Sequence, residues 1–308
     1  MRVCFTYFIA LIFPLFANAQ EKITSQELKT HISFLTADSL GGRYPGTKAN
    51  RQILDYIKGD FSSNGITIEI QFFQARLRRD SSRVKTSNVL GFIEGTDPNL
   101  KNEFVVLGAH YDHLGIKNDS IYHGADDNAS GTAALLEIGE KLAANRKQLK
   151  RSVLLIAFGA EEQGLLGSRY FTENPPFSLN RIKLMINMDM LGRLNSKNHV
   201  YMGGAGTFPG GQKLMKNLSV EKASLGNNTN LNPVIHAGSV GGSDHVSFYL
   251  KGISVLGIHT GGHDHYHKPS DTMDLLNLEG EVKVCNYIYK TILAIAGSDR
   301  EMRFIEQD

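Results

Sequence analysis

Continuous apolar runs alternate with stretches of helical periodicity along the chain. The runs FVVLGA (104–109), VLLIAFGA (153–160) and ISVLGI (253–258) are typical of strands that are buried on both faces of a sheet. In the stretch 131–146, apolar residues recur at helical spacing. The pattern predicts strands at 88–94, 103–109, 152–158, 183–188, 199–202 and 253–258, and helices at 47–62, 131–146, 210–218 and 278–296.

The alternation of strands and helices predicts an α/β domain with helices on both faces of a central sheet. Periodicity does not decide whether that sheet is mostly parallel or mixed. No Pro/Ser/Gly-rich linker, charge block or internal repeat divides residues 20–308, so we predict a single domain over this range.

Composition excludes several classes of protein. The 33 Lys and Arg residues nearly balance the 31 Asp and Glu residues, so there is no electrostatic footprint for nucleic acid or an anionic membrane. A hydrophobic content of 41% excludes general disorder, and two cysteines cannot build a disulfide-rich scaffold. The remaining candidates are globular enzymes and binding domains.

The N-terminus has the pattern of a secretory signal peptide. A positive start precedes an apolar run at 3–16, and the small-residue sequence A-N-A ends at Ala19, after which we predict cleavage. A membrane anchor is the alternative, but a span needs about 20 apolar residues and Pro14 interrupts this shorter run. We therefore expect an exported protein, periplasmic or secreted, without stable membrane insertion and with Cys285 as its one remaining cysteine.

Acidic residues and histidines collect where the predicted strands end. In open α/β sheets, ligands gather outside the carboxyl ends of the strands. Grouped carboxylates resist ionisation unless a cation compensates them, and a mixed set of His and carboxylate ligands suits zinc. Two zinc ions that share a carboxylate would activate a water molecule between them. The residues that follow strands are His110, Asp112, Glu161, Glu162, Asp189, His259 and the segment 263–267, and a loop adds Asp126 and Asp127.

Five segments resemble the motifs of metallopeptidase family 28, the di-zinc aminopeptidases, and occur in the same order. They are AHYDH (109–113), GADDNASG (124–131), AFGAEEQGLLGS (157–168), INMDMLG (186–192) and YHKPSDT (266–272). The resemblance is strong over residues 85–275 and looser around LGGRYPG (40–46). It implies a three-layer α/β/α sandwich like that of the zinc-dependent exopeptidases, with a mostly parallel or mixed sheet.

The resemblance also implies a role for each motif residue. The first zinc would take His110 and Asp189, the second Glu162 and His267, and Asp127 would bridge both. The Asp112 carboxylate would orient the His110 imidazole, since such a partner fixes the tautomer of a ligating histidine. Asp126 lies outside the family's bridging position and would be a loop residue.

Glu161 is implied as the general base that takes a proton from the metal-bridging water and passes it to the departing amine. The Y-H-x-P-x-D-T context favours His267 as the ligand, while His263 and His265 would line the cleft or meet solvent. The sequence SDH at 243–245 cannot be a catalytic triad, because consecutive residues do not converge in space, so we expect it at the cleft wall. For His113, the sequence leaves open whether it supports the metal loops.

The sequence therefore predicts an exported aminopeptidase that acts on peptide substrates. Carboxypeptidase or dipeptidase activity at the same metal site remains an alternative, and so does a glutaminyl-cyclase-like acyl transferase, since such enzymes resemble this family and use a single zinc. A non-catalytic binding domain of the same fold is a further alternative, and it would be recognised by the loss of metal-ligating residues. The intact pair Glu161 and Glu162 and the complete set of five ligands favour the hydrolase.

Overall fold

An eight-stranded sheet forms the centre of the computed structural model, which describes residues 22–220, 230–238 and 240–307. A separate hairpin consists of β4 and β5. The strands are β1 (Thr67–Arg76), β2 (Arg83–Ile93), β3 (Phe104–His110), β4 (Gly115–Lys117), β5 (Ser120–Tyr122), β6 (Ser152–Phe158), β7 (Ile182–Met188), β8 (His199–Gly203), β9 (Asn232–Ile235) and β10 (Val255–His259).

The sheet is mixed, with a parallel centre. The strand order is β1-β2-β6-β3-β7-β10-β8-β9. Strands β6, β3, β7 and β10 are parallel neighbours, whereas β2 is antiparallel to β1 and β6, and β8 is antiparallel to β10. Because the four central strands run in one direction, their carboxyl ends meet at the same edge of the sheet.

Helices cover both faces of the sheet, as the sequence predicts. Val105 and Leu107 pack into one apolar cluster with α1, α2, α3, α5 and α7, while Val106 packs on the opposite face with Phe171 of α4 and Phe248 of α6. The helices are α1 (Ser25–Leu35), α2 (Lys48–Ser63), α3 (Gly131–Ala144), α4 (Leu166–Glu173), α5 (Gly211–Val220), α6 (His245–Tyr249) and α7 (Leu278–Ala296). The predicted α/β/α sandwich is confirmed.

Polar side chains fix where several helices begin. Helix α1 starts with a capping box, in which the Thr24 hydroxyl accepts from the Glu27 backbone N–H and the Glu27 carboxylate accepts from Thr24 N–H. Thr47 caps α2 by accepting from Asn50 N–H at 3.1 Å, and Asn277 caps α7. Each cap satisfies backbone donors that the first helical turn leaves free.

Every strand and helix that the sequence predicts has a counterpart whose ends differ by a few residues. The largest shift is at β2, which begins five residues before the predicted residue 88, and every other end differs by two residues or fewer. Among the elements that were not predicted are β1, α1 and α4. The leader at 1–19 lies outside the described residues, and the division into leader and one domain stays a prediction. Within the described ranges, no helix combines the length and apolarity that a membrane span requires.

Candidate metal centre

The carboxyl edge of the parallel strands gathers two groups of side chains that could hold metal ions. His110, Asp127 and Asp189 each offer one ligand atom, and these atoms lie within 4.8 Å of one another. His113, Asp127 and Glu162 form a second such group by the same measure. Asp127 belongs to both groups, so the arrangement is a pair of adjacent sites that share one carboxylate.

His267 approaches the second group from the loop after β10. Its Nε2 lies 3.0 Å from Asp127 Oδ2 and 3.3 Å from Glu162 Oε2. His113 reaches the same carboxylates differently, with its Nδ1 2.7 Å from Glu162 Oε1 and 4.0 Å from Asp127 Oδ2. Two imidazoles therefore face the second position, of which the sequence singled out His267 alone.

The first group contains a single histidine. His110 Nε2 lies 3.4 Å from Asp127 Oδ1 and 3.5 Å from Asp189 Oδ1, and the His110 side chain is fully buried at the end of β3. Asp189 follows β7 directly. The five predicted metal ligands thus lie together in the structure, although their assignment to metal ions stays a prediction.

The hydrogen bonding of these residues fits a role in binding a cation. Asp127 Oδ2, Glu162 Oε1, Asp189 Oδ1 and both ring nitrogens of His113 are buried and make no hydrogen bond of favourable geometry with the described residues, although His113 Nδ1 and Glu162 Oε1 lie 2.7 Å apart. Although burial opposes protonation, contacts with Asp127 and Glu162 raise the pKa of His267 to about 10. Orphaned ligand atoms and surplus negative charge are both relieved by a bound cation, and the nitrogen and oxygen donor set suits zinc.

The Asp112 carboxylate differs from its predicted role. Its oxygens accept from the backbone N–H groups of Glu161 at 2.9 Å and Glu162 at 3.3 Å. His110 Nδ1 instead lies 3.2 Å from the backbone carbonyl oxygen of Asp112. The reason is that β3 and β6 are parallel neighbours ending side by side, with His110 opposite Phe158, so Asp112 faces the turn that carries the two glutamates. Asp112 therefore orients the imidazole through its backbone and the glutamate turn through its side chain.

Asp126 lies outside both groups, as the sequence predicts. Its Oδ1 accepts from Gly192 N–H at 2.7 Å, and its Oδ2 lies 3.0 Å from His263 Nε2. The buried Asp271 carboxylate accepts from the N–H groups of Asp126 and Asp127, each at 3.0 Å. The loop that presents Asp127 is thus fixed by a carboxylate from the loop that presents His267.

Three candidate segments contain a non-glycine residue in the left-handed backbone region. These are Ala160 just before the glutamates, with φ at 60°, Met190 just after Asp189, also at 60°, and His267 itself at 55°. Such conformations cost energy and are held by surrounding contacts, and they concentrate at functional sites. Their placement supports this edge of the sheet as the working part of the molecule.

Glu161 is positioned differently from its neighbour Glu162. Its carboxylate accepts no hydrogen bond from the described side chains or backbone. Burial, with the nearby charges of Asp244 and Asp189, raises the pKa of Glu161 well above its usual range. Asp244 is itself fully buried, and burial raises its pKa to about 7. A carboxylate with a raised pKa and a free oxygen is suited to accepting and returning a proton.

Arg43 is a site residue that the sequence analysis did not single out. Its guanidinium is fully buried and donates to four carbonyl oxygens: Leu35 at 2.9 Å, Tyr111 at 3.0 Å, His123 at 2.5 Å and Gly124 at 2.8 Å. Burial lowers its pKa to about 10. The only signal in the sequence was its place in the LGGRYPG segment. Arg43 joins the segment after β3 to the loop before Asp127.

Two cavities flank the cluster. One, of about 390 Å³, has Asp189 on its wall together with Ser243 and His245, which agrees with the expectation that the SDH segment lies at the cleft wall. The other, of about 710 Å³, borders Glu162 and His267. An extended molecule bound across the cluster would therefore place its two ends in different cavities.

An α/β/α sandwich with a shared His and carboxylate cluster at its strand ends is a framework for metal-dependent hydrolysis. Residues 88–292 match peptidase family M28, and the chain belongs to this family. The relatives that the chain matches include proteins named as zinc metalloproteases and aminopeptidases.

Curated relatives agree with this placement. The chain is 31% identical over 240 residues to leupeptin-inactivating enzyme 1 of Streptomyces exfoliatus, covering 76% of this chain and 49% of that protein. It is 32% identical over 187 residues to an aminopeptidase of Pseudomonas aeruginosa, covering 58% and 32%. The chain thus spans half or less of the length of these relatives.

Solved structures share the fold. A zinc aminopeptidase from Bacillus subtilis superposes with a TM-score of 0.73 at 16% identity, covering 93% of this chain and 99% of that one. Porphyromonas gingivalis glutaminyl cyclase gives a TM-score of 0.71 at 21% identity, covering 88% and 98%. At these identities the likeness concerns architecture.

Proposed function

We propose that the chain is an exported aminopeptidase that holds two zinc ions and removes N-terminal residues from peptides. The observation that carries the proposal is the sharing of Asp127 between two ligand groups, with Glu161 beside them. His110 and Asp189 would hold one ion, Glu162 and His267 the other, and Asp127 both. When bound, the zinc pair would lower the pKa of water and polarise the peptide carbonyl.

Glu161 has the features of the general base. The bonds from its own N–H and that of Glu162 to Asp112 fix the turn, and the Glu161 carboxylate is not engaged by the described residues. In the proposed reaction, a Glu161 oxygen accepts the proton of the attacking water. The same oxygen then donates that proton to the nitrogen of the departing amine, so Glu161 is regenerated.

Cleavage at the N-terminal end of the substrate is supported by the charge around the cluster and by the names of the relatives. A free α-amine is a cation, and no described lysine or arginine lines the 390 Å³ cavity, so the amine meets no like charge there. Relatives of the chain from Saccharomyces cerevisiae and Pseudomonas aeruginosa are named as aminopeptidases. Carboxypeptidase or dipeptidase activity would use the same cluster and differ in which substrate end is recognised.

Glutaminyl-cyclase-like acyl transfer is the second candidate, supported by the shared fold. The family match and the adjacent pair Glu161 and Glu162 favour hydrolysis. Incubation of the purified chain with peptides that begin with glutamine separates the two reactions: hydrolysis releases free glutamine, whereas cyclisation leaves a pyroglutamyl peptide of unchanged length. N-blocked peptides in the same assay separate aminopeptidase from carboxypeptidase action.

The central test is Glu161→Gln with Glu162→Gln as the matched comparison. Glu161→Gln should keep about two zinc ions per chain and lose activity by a factor on the order of 10²–10⁴, because it removes the proton acceptor alone. Glu162→Gln should lose one zinc ion, because it removes a ligand. Retained activity in Glu161→Gln, or active wild-type protein without zinc, would overturn the scheme.

Export rests on the N-terminal pattern alone. Expression of the full chain should yield an exported protein whose first residue is Gln20. Mass spectrometry of the exported protein tests this, and an intact N-terminus in the cytoplasm would contradict it.

A further inference from the structure

The cavity of about 710 Å³ beside Glu162 and His267 has a cationic wall. Arg78, Arg79 and Lys117 line it, and we refer to it as the basic cavity. Its carboxylate, Glu162, is one of the proposed zinc ligands, so bound metal would compensate its charge. The basic cavity therefore adjoins the metal centre and carries an excess of positive charge.

The three cations are held in place from different segments. Arg79 stacks on the Tyr44 ring at 4.4 Å and donates to the Leu114 carbonyl at 2.9 Å. The backbone N–H of Arg78 donates to Gln163 Oε1 at 2.9 Å, which joins the β1–β2 turn to the segment after Glu162. Lys117 Nζ lies 5.0 Å from the centre of the Tyr122 ring. The wall is thus built from the β1–β2 turn and the β4–β5 hairpin.

These cations form no close ion pair in the part of the chain that the structure describes. Arg78, Arg79 and Lys117 have no described carboxylate within 4.0 Å. Asp80 interacts with the charge of Arg79, but it accepts from Ser82 N–H at 2.9 Å and does not line the cavity. The donors of Arg78 and Lys117, and those of Arg79 that Leu114 does not occupy, are therefore available to a bound anion.

The 390 Å³ cavity on the other side of the cluster lacks the positive charge of the basic cavity. The residues that line the 390 Å³ cavity include no lysine or arginine among those described, and Asp189 lies on its wall. Burial lowers the pKa of His245 there to about 4, so this ring is neutral at pH 7. Asp189, like Glu162, is a proposed zinc ligand, so the two cavities differ in their cations. A substrate ammonium group is disfavoured beside the arginines and Lys117 and meets no described lysine or arginine in the 390 Å³ cavity, so the part of the substrate after the cleaved bond enters the basic cavity.

We propose that the enzyme prefers substrates with a carboxylate on the first residue after the cleaved bond, and that Arg78, Arg79 and Lys117 bind it. This inference rests on the proposed aminopeptidase function and names its substrate class. The carboxylate has two sources, the C-terminal α-carboxylate of a dipeptide and the side chain of Asp or Glu in a longer peptide. Arginine donors suit a carboxylate in either setting because the guanidinium can bind both oxygens.

Two pairs of substrates separate these sources. Leu-Ala is compared with Leu-Ala-amide, and Leu-Glu-Ala-amide with Leu-Gln-Ala-amide. In at least one pair the acid should be cleaved with a kcat/KM about 3- to 10-fold higher than its neutral partner, through a lower KM. The preference should shrink when ionic strength rises from about 0.05 to 0.5 M, because Arg78 and Arg79 are exposed to the solvent.

Substitutions link the preference to the cavity. The double variant with Arg78→Gln and Lys117→Gln should bring the acid-to-neutral ratio of kcat/KM close to one. Arg83→Gln is the matched control, since Arg83 is exposed on β2 and does not line the cavity, and it should keep the wild-type ratio. Unfolding midpoints and zinc content should match wild type in both proteins, so a folding defect would be visible.

The outcomes distinguish this inference from the function on which it rests. Cleavage of these peptides with equal kcat/KM for acid and neutral partners would refute the inference and leave the aminopeptidase intact. An acid preference that survives in the double variant would also refute the assignment to the basic cavity. If none of the peptides is cleaved, the proposed function fails and the inference fails with it.

Discussion

Arg43→Met is the substitution from which we expect the largest structural effect outside the ligands themselves. Arg43 lies fully buried between α1 and the metal loops, and its guanidinium donates to four carbonyl oxygens. Methionine is similarly long and unbranched, so the change removes the donors and the charge and leaves most of the packing. The four carbonyls of the metal loops and of α1 would then lose these donors.

The expected cost follows from those contacts. A hydrogen bond from a charged donor contributes about 1.5–3 kcal/mol, and a buried acceptor left without a partner costs about 1–3 kcal/mol. Removing a buried guanidinium also recovers part of its desolvation cost, which offsets some of this loss. We therefore expect a decrease of about 3–5 kcal/mol in the free energy of unfolding, at the upper end of what single substitutions produce.

Urea unfolding of the zinc-free protein, followed by zinc titration, measures both consequences. Zinc affinity should fall, because the Tyr111 and Gly124 carbonyls that Arg43 binds belong to the segments presenting His110 and Asp127. Arg43→Lys should recover only part of the loss, since one ammonium cannot reach four dispersed carbonyls. Arg51→Met, on the exposed side of α2, is the control and should change stability by less than about 0.5 kcal/mol. A loss below about 1 kcal/mol in Arg43→Met, with unchanged zinc affinity, would refute the reasoning.

Three further predictions concern the roles of residues in and around the cluster. Asp127→Ala should abolish tight binding of both zinc ions, because Asp127 belongs to both ligand groups. Asp126→Ala should keep most of the zinc, because Asp126 contacts Gly192 and His263 instead of the cluster. Equal zinc loss in the two variants would contradict the sharing of Asp127 between two metal positions. Asp112→Asn should retain zinc and lower kcat about 10- to 100-fold, because the Asp112 carboxylate holds the backbone of Glu161 and Glu162. Unchanged kinetics would exclude a role for Asp112 in positioning these glutamates. His267→Gln should release one zinc ion, because His267 Nε2 lies within 3.3 Å of carboxylate oxygens of both Asp127 and Glu162. His113→Gln should only weaken zinc binding, because His113 Nδ1 lies 2.7 Å from Glu162 but 4.0 Å from Asp127. If zinc analysis gives the reverse order, His113 is the ligand.

The central strands could be predicted because they are buried on both faces. In β3 and β6 every residue is buried, so apolar side chains are continuous along the sequence. Edge strand β1 gives no such signal, since it pairs only with β2 and among its ten residues only Phe73 and Ala75 are buried. Its sequence, TIEIQFFQAR, holds five apolar residues among ten, so it has no continuous apolar run that would indicate a buried strand.

Helix α1 is different, because its signals were present in the sequence. Leu28, Ile32 and Leu35 repeat at helical spacing and are all buried, and Thr24 and Glu27 form a capping box. The helix lies between the predicted leader and the first motif, where no alternation with strands marks the domain. Its helical spacing from residue 22 onward is nevertheless a local signal that predicts it.

The identities of the candidate ligands could be predicted from motifs, but their neighbours could not. The bond from Asp112 to the glutamate turn depends on β3 and β6 being adjacent and in register, which no local pattern encodes. His113 lies in the same AHYDH segment as His110, yet only the folded loop brings its ring to 2.7 Å from Glu162. Arg43 binds segments as far as 81 positions away in sequence. Contacts of this kind depend on topology, so sequence reasoning assigns the residue type and misses its partner.

The residues around the cluster share one physical task. Each candidate ligand lies at the end of a strand or in a loop, and backbone groups there lack partners in regular structure. Asp112 and Asp271 each accept from two consecutive N–H groups of a ligand loop, and Arg43 donates to carbonyls of two loop segments. Without these charges, the loops would have to satisfy their backbone with water and would lose their fixed positions. The motifs are therefore longer than the ligand set, because the charged residues within them bind the backbone that holds the ligands together.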